Sequence, residues 1–259
     1  MEQPITRRIA LRLIAGLPLV ASGSPAFARE RSLIGRLIAD AGTRPAISQR
    51  ISFISRSLLG VRYQANTLIG GPRNREVFVV RDDAFDCVTF CEVVLAAARA
   101  SDLAGFETSL RRIRYEHGEV KWEERNHYFA DWSRRAVENE ICRPVAMEPS
   151  VTIEKTVNCR KLGKRQVSLT AIPRATFLAN KTLLASGDVI GFVSRRPNLD
   201  FYHTGLVAFG RRGELMLRHA SRSRGRIVDE RMTAFLAVNR VQYVTLVRAA
   251  ETTDMADRG

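Results

Sequence analysis

Apolar residues recur at helical spacing in the first part of the chain and at strand spacing in the last third. Residues 32–41 and 47–59 both show helical spacing, with Ile51, Ile54 and Leu58 on one face of the second. The Gly60 that follows suits a helix C-terminus. Residues 61–84 are rich in Gly, Asn, Arg and Asp and predict a loop, interrupted by a short strand at Val77-Phe78-Val79-Val80. The apolar run from Cys87 to Ala100 predicts a largely buried helix, and a further helix is predicted from Leu103 to Arg114. Between residues 141 and 186, short strands are expected near Val151–Val157 and Val167–Ile172, with Pro173 placed to open a helix. After Gly187-Asp188 the character changes. Val189–Ser194, Thr204–Phe209 and Glu214–Arg218 read as strands, with a turn from Gly210 to Gly213 and a last strand at Val241–Val247. Helices first and antiparallel strands after define an α+β arrangement.

The first residues stand apart from this pattern. Thr6-Arg7-Arg8-Ile9-Ala10-Leu11-Arg12 precedes the apolar stretch Leu13–Val20, and a run of small residues ends in Ala26-Phe27-Ala28. A charged segment, a short apolar segment and an A-x-A site make an export signal over residues 1–28, and the stretch is too short to span a bilayer comfortably. The paired arginines suggest the twin-arginine route, although Ala10 stands where a large apolar residue is usual. A basic, apolar first helix of a cytosolic protein is the alternative. Residues 29–250 are expected to form one domain, with 251–259 as a loose tail. The expected location is periplasmic or secreted, with no integral membrane segment after cleavage.

The chain has 259 residues and a formal net charge of +14. A basic surface suits anionic partners: nucleic acid, lipid head groups or cell-wall polymer. No basic helix, recognisable motif or row of stacking aromatics supports nucleic acid, and export would exclude it. The four cysteines, Cys87, Cys91, Cys142 and Cys159, show neither a CxxC nor a Cys/His zinc pattern. Cys142 and Cys159 bracket an expected loop, and an oxidising compartment permits them to pair.

Two segments carry candidate chemistry. In Phe85-Asp86-Cys87-Val88-Thr89-Phe90-Cys91, Asp86 is a good N-cap, which puts Cys87 in the first turn of a helix. Unpaired N–H groups and the helix dipole there are expected to stabilise a thiolate, whereas Cys91, one turn on, reads as a small core residue. A buried structural cysteine is the bland reading of Cys87. In Asp200-Phe201-Tyr202-His203-Thr204-Gly205, His203 opens an apolar strand, rigidly placed to act as a general base for a thiol. A hydrogen-bonded core histidine is its bland reading. His219, at the end of the next strand, falls near the same edge and suits the role of orienting His203. Two histidines also suit a metal, but no spacing supplies a third ligand, so neither metal nor organic cofactor is expected.

FDCVTF, SGDVIGFV, YHTGLV and RHAS, in that order, resemble the NlpC-type papain-like superfamily of cysteine peptidases. LLGVRYQANTL, IRYEHGEVKWEERNHYFADW and LDFYHTG further resemble its N-acetylmuramoyl-L-alanine amidase-like family, over roughly residues 50–248. The resemblance implies a papain-like NlpC-type fold, with the Cys-bearing helix packed on an antiparallel sheet. It implies Cys87 as nucleophile, His203 as base and His219 as third polar residue. Tyr63 matches a site-lining tyrosine, although its distance from Cys87 is longer than usual. Asp86 matches a residue that in some relatives meets a substrate amine, and a pure N-cap is the alternative. Arg125, Asn126, His127, Tyr128, Asp131 and Trp132 suit either a substrate groove, with Trp132 facing a sugar, or a brace against the cysteine helix. The implied partner is peptidoglycan or a muropeptide, acted on by a monomer at the muramyl–L-alanine bond. A D-glutamyl–diamino-acid endopeptidase and a non-catalytic wall-binding protein are the alternatives.

Overall fold

The computed structural model describes residues 32–159 and 162–251. The expected export signal at 1–28, and all of the expected tail but Glu251, lie outside them. Among the described residues there are seven α-helices and twelve strands. No described helix is long and apolar enough to cross a membrane.

Helices α1 (Leu33–Gly42) and α2 (Ile47–Ser57) are amphipathic and bury Ile34, Leu37, Ile38, Ile51 and Ile54. The Ser32 hydroxyl accepts from Gly35 N at 3.0 Å and starts the first of them. Short strands follow at β1 (Arg62–Tyr63), β2 (Ile69–Gly71), β3 (Asn74–Val77) and β4 (Ala84–Phe85). Helix α3 (Cys87–Ala98) is buried almost all round, because α1, α2 and α4 (Leu103–Arg114) enclose it on the sheet. Helix α5 (Phe129–Glu138) leads to β5 (Cys142–Pro144) and the long hairpin β6 (Val151–Cys159) and β7 (Gly163–Pro173). Helix α6 (Arg174–Ala179) precedes β8 (Val189–Val193), β9 (Phe201–Phe209), β10 (Leu215–Ser221) and β11 (Arg226–Arg231). Helix α7 (Met232–Val238) and β12 (Tyr243–Ala249) complete the described chain.

Ten strands form one curled sheet in the order β4-β1-β11-β10-β9-β8-β12-β7-β6, with β5 alongside β12; β2 and β3 make a separate hairpin. All pairings in the large sheet are antiparallel except β1 with β4. Its middle is covered on both faces. Val189, Val193 and Leu206 join the core of α1–α5, whereas Ile190, Phe192 and Val207 join that of Phe177 on α6 and Phe235 and Leu236 on α7. Two covered faces explain why Val189–Val193 and Thr204–Ala208 are buried without the alternation of a half-solvated strand.

Several expectations are corrected. The helix from Cys87 stops at Ala98 rather than Ala100. The short strand falls at Asn74–Val77, not Val77–Val80, because Phe78 turns onto Tyr115 and Val79 O takes a bond from the buried Arg114. Helix α5 was hidden by its polar and aromatic composition. Its first turn is capped from a distance: Asp200 Oδ2 accepts from Ala130 N at 2.8 Å. Strand β11 and helix α7 also escaped the sequence pattern. Cys142 and Cys159 are both buried free thiols, and the interval they bracket is filled largely by β5 and β6 rather than by a loop.

Candidate active site

Cys87 begins α3 behind a complete cap. Asp86 Oδ1 accepts from Val88 N (3.1 Å) and Thr89 N (2.8 Å), while Thr89 Oγ1 accepts from Asp86 N (3.0 Å). Thr67 Oγ1 reaches Asp86 Oδ2 at 3.5 Å. The Asp86 carboxylate is thus occupied by capping and by Thr67. Strand β1 lies parallel to β4 with Tyr63 opposite Phe85, so Tyr63 stands beside Cys87 in space. The long sequence interval between them is taken up by the β2–β3 hairpin.

The sheet opens where Cys87 approaches. Pairing of β9 with β10 runs from Phe209↔Leu215 to Leu206↔Arg218 and stops, while β10 continues with β11 to Ser221↔Arg226. Beyond Leu206 the β10-facing edge of β9 has no strand partner, and the Thr204 N–H there favours a thiolate on Cys87. The N–H groups of Cys87 and Val88 do the same. His203 Nε2 lies 2.6 Å from His219 Nδ1, with the rings edge to face and centroids 4.8 Å apart. Phe192 stacks on His203 at 6.1 Å, and Phe235 contacts both imidazoles at 5.6 and 5.5 Å. Gly205 permits this approach: a Cβ there would meet Leu217 Cδ1, Arg218 O and His219 Cβ at 2.8–2.9 Å. No hydrogen bond joins Cys87 to His203 among the described residues; catalytic bonds commonly tighten only around substrate.

Sequence reasoning expected a lowered Cys87 pKa. The structure reverses this: burial, and then the Asp86 charge, push the thiol up to about 11 against the backbone N–H groups of Thr204, Cys87 and Val88, which lower it. Burial, and then His219, push His203 down to about 3. Both shifts favour a neutral thiol and neutral imidazole over an ion pair at rest. Tyr63 is raised by burial, then by Cys87 and Asp86, and Arg222 opposes this.

The cluster around residue 127 is divided by the structure. Trp132 is 1% exposed and stacks on Phe129, which rests against Gly191 of β8. Its ring faces the core, so a sugar has no access to it. His127 Nε2 lies 2.8 Å from Trp122 O, its ring 4.4 Å from that of Trp122, and burial lowers its pKa. Asp188 holds Arg248 through both oxygens, at 2.6 and 2.8 Å, and accepts from Ala185 N, so the Gly-Asp turn is a structural clasp. Glu92, for which the sequence suggests no role, forms a buried ion pair with Arg114 at 2.8 Å. A cavity of about 770 Å³ lies between α5, β7 and β12, and neither Cys87 nor the histidine pair lines it. Sequence reasoning missed two residues near the histidines: Phe235, and Glu230, whose Oε2 is 3.4 Å from His219 Nε2. A hairpin reading of Ser221–Gly225 would have brought Glu230 back beside His219.

The molecule is thus a mixed α+β protein with a half-buried cysteine at a helix N-terminus, beside the split edge of a sheet that carries two bonded histidines. Residues 53–241 match the AmiA-like, N-acetylmuramoyl-L-alanine amidase-like family, and the chain belongs to it. A search of the curated proteins finds no match. Among solved structures, the chain is similar to an N-acetylmuramoyl-L-alanine amidase from Bacteroides uniformis ATCC 8492. That likeness has 24% identity, covers 79% of this chain and 99% of that one, and has a TM-score of 0.70. It is also similar to a protein from Legionella pneumophila str. Philadelphia 1, at 21% identity over 84% of this chain and 93% of that one, TM-score 0.74. At these identities the likenesses show the fold alone.

Proposed function

We propose that the protein is a cysteine-type peptidoglycan amidase with an NlpC-type papain-like fold, with Cys87 as nucleophile, His203 as base and His219 as the residue that orients it. The observation that carries this reading is the pairing of His203 with His219 at 2.6 Å, one residue before Thr204, whose side chain meets Cys91 one helical turn from Cys87. With Nε2 engaged by His219, His203 keeps Nδ1 to take the thiol proton. The sulfur attacks the substrate carbonyl, the Cys87 N–H helps hold the oxyanion, and His203 passes its proton to the departing amine. Water, deprotonated by His203, then cleaves the thioester and restores the thiol. Because the resting pair is neutral, proton transfer accompanies attack rather than preceding it.

The preferred bond joins the muramic lactyl group to L-alanine, as the family description and the Bacteroides uniformis neighbour's name suggest. Arg222, Arg224 and Arg226 lie exposed on the β10–β11 hairpin, whose Gly225 O accepts from Tyr63 N at 2.8 Å. They suit the carboxylates of a stem peptide. Tyr63 lines the same side, and Asp86 acts chiefly as the cap of α3. Residues 29–250 would form one hydrolase domain, exported through the signal at 1–28 to the periplasm or beyond.

The deciding experiment is mass analysis of fragments released from purified sacculi by the mature protein, with Cys87→Ala as control. Free stem peptides with an L-alanine amino end support the amidase. Cleavage after D-glutamate indicates the endopeptidase instead. Binding to sacculi without turnover indicates a wall-binding protein.

A further inference from the structure

The His203–His219 contact requires a proton, and two arrangements supply one. In the first, His203 Nε2 carries it and His219 Nδ1 accepts, so that the His219 proton sits on Nε2. In the second, His219 Nδ1 carries it, and His203 must then be protonated at Nδ1 to remain neutral. Only the first leaves His203 Nδ1 with a lone pair able to accept a thiol proton. The 2.6 Å contact fits both, and a thiol could either donate to a bare Nδ1 or accept from a protonated one.

What separates them lies on the far side of His219. Its side chain is 3% exposed, and its Nε2 faces Glu230 Oε2 at 3.4 Å. Leu217 is the strand partner of Glu230, and His219 that of Val228, so the carboxylate meets the imidazole along the diagonal of the β10–β11 ladder. At 3.4 Å the contact is longer than a formed N–H···O hydrogen bond, and Nε2 has no nearer partner. A charge beside a buried dipole nevertheless acts strongly. A proton on Nε2 points its positive end at the carboxylate. A lone pair there would face a negative charge with no donor between them. Asp229, the neighbouring acid, adds to the same field at His219.

We infer that Glu230 is a positioning residue that sets the tautomers of both histidines: its carboxylate holds the proton of His219 on Nε2, His219 Nδ1 accepts from His203 Nε2, and His203 Nδ1 is left bare, able to accept the Cys87 proton. The inference deepens the proposed hydrolase reading and rests on it for its catalytic consequence. The tautomer assignment itself needs no activity. Glu230 also opposes the cation that forms when His203 takes the thiol proton, because that charge is felt through the short contact to His219.

The test is ¹⁵N-histidine NMR of the mature protein at neutral pH, read for which ring nitrogen of His203 and His219 carries hydrogen, beside kcat and KM on muropeptides. Both rings of the wild type are expected to be protonated at Nε2 and bare at Nδ1. Glu230→Met removes the charge while keeping length. It should move part of the population to the Nδ1-protonated form and lower kcat by roughly ten- to a hundredfold with KM nearly unchanged, since a wrongly placed proton disables the base without touching the groove. Glu230→Asp keeps the charge and should restore the tautomer and most of kcat. Wild-type rings protonated at Nδ1 would overturn the inference, as would a folded Glu230→Met protein with unchanged ring states. If the ring states respond as stated while Cys87→Ala cleaves as well as the wild type, the hydrolase reading fails and the role of Glu230 in the tautomers stands. Should Glu230→Met fail to fold, the wild-type ring states and Glu230→Asp decide the matter.

Discussion

Cys91 and Thr204 meet in the core, Sγ 4.0 Å from Oγ1, one helical turn below Cys87 and one residue past His203. Thr204 also donates to Ile190 O at 2.8 Å, which ties the contact into the centre of the sheet. The helix bearing the thiol and the strand bearing the imidazole are therefore registered by side chains that do no chemistry themselves. Strand alternation explains the division: Thr204 turns to α3, and His203 turns to Phe192 and Phe235.

Cys87 is expected to be the thiol that alkylates first, because access distinguishes it. Cys91, Cys142 and Cys159 are 1%, 3% and 8% exposed, whereas Cys87 is half-buried. With its pKa pushed up to about 11, the rate of iodoacetamide labelling should climb through the alkaline range without a plateau near neutrality. Peptide mapping after limited labelling checks the site, and the pH profile checks the protonation state. A plateau near neutral pH would show a thiolate–imidazolium pair already formed at rest.

The two histidines should be unequal. His203→Ala is expected to remove nearly all turnover. His219→Asn and His219→Gln offer an oxygen acceptor to His203 Nε2 and should retain more kcat than His219→Ala. Equal and complete loss in all three, together with zinc bound by the wild type, would point to a metal site instead.

Gly205→Ala should reduce kcat without touching any polar group of the site. The added Cβ meets His219 Cβ and the Arg218 carbonyl at 2.9 Å, so β10 must move and the histidine contact opens. A loss of about 1–3 kcal/mol in stability is expected from the overpacking. Thermal unfolding read beside kcat separates the two effects.

Acid should destabilise the fold through His203. Its pKa falls from 6.5 to about 3 on folding, so between those values the unfolded chain binds more protons than the native one. Stability is then full above about pH 6.5 and is lost as pH falls toward 3. Burial lowers the pKa of His219 and His127 too, which adds loss of the same sign. Melting temperatures from pH 7 to 5 should fall less steeply in His203→Gln than in the wild type.

Glu92→Ala should cost about 3–5 kcal/mol, since it strands the Arg114 guanidinium in the interior. Replacing both Glu92 and Arg114 by Met should recover most of that loss. Urea unfolding of the single and double variants makes the comparison.

The sequence by itself determined the local order: amphipathic α1 and α2, the cap that starts α3 at Cys87, the strand run from Val189 to Phe209, and the thiol and imidazoles as candidates. These follow from periodicity, capping chemistry and residue type, which act over a few residues. Tertiary structure decided the rest, because burial and long-range charge have no local signature. Trp132 looked like a sugar platform until α5 turned it into the core, and Glu92 looked idle until Arg114 arrived from the next helix. The Cys87 helix position argued for an acidic thiol, yet enclosure by the sheet and the Asp86 charge outweigh the N–H groups that favour a thiolate. Only the β10–β11 register brings Glu230 to the far side of His219. The split between β9 and β10 that receives Cys87 exists only once the strands have paired, because it is a place where pairing ends.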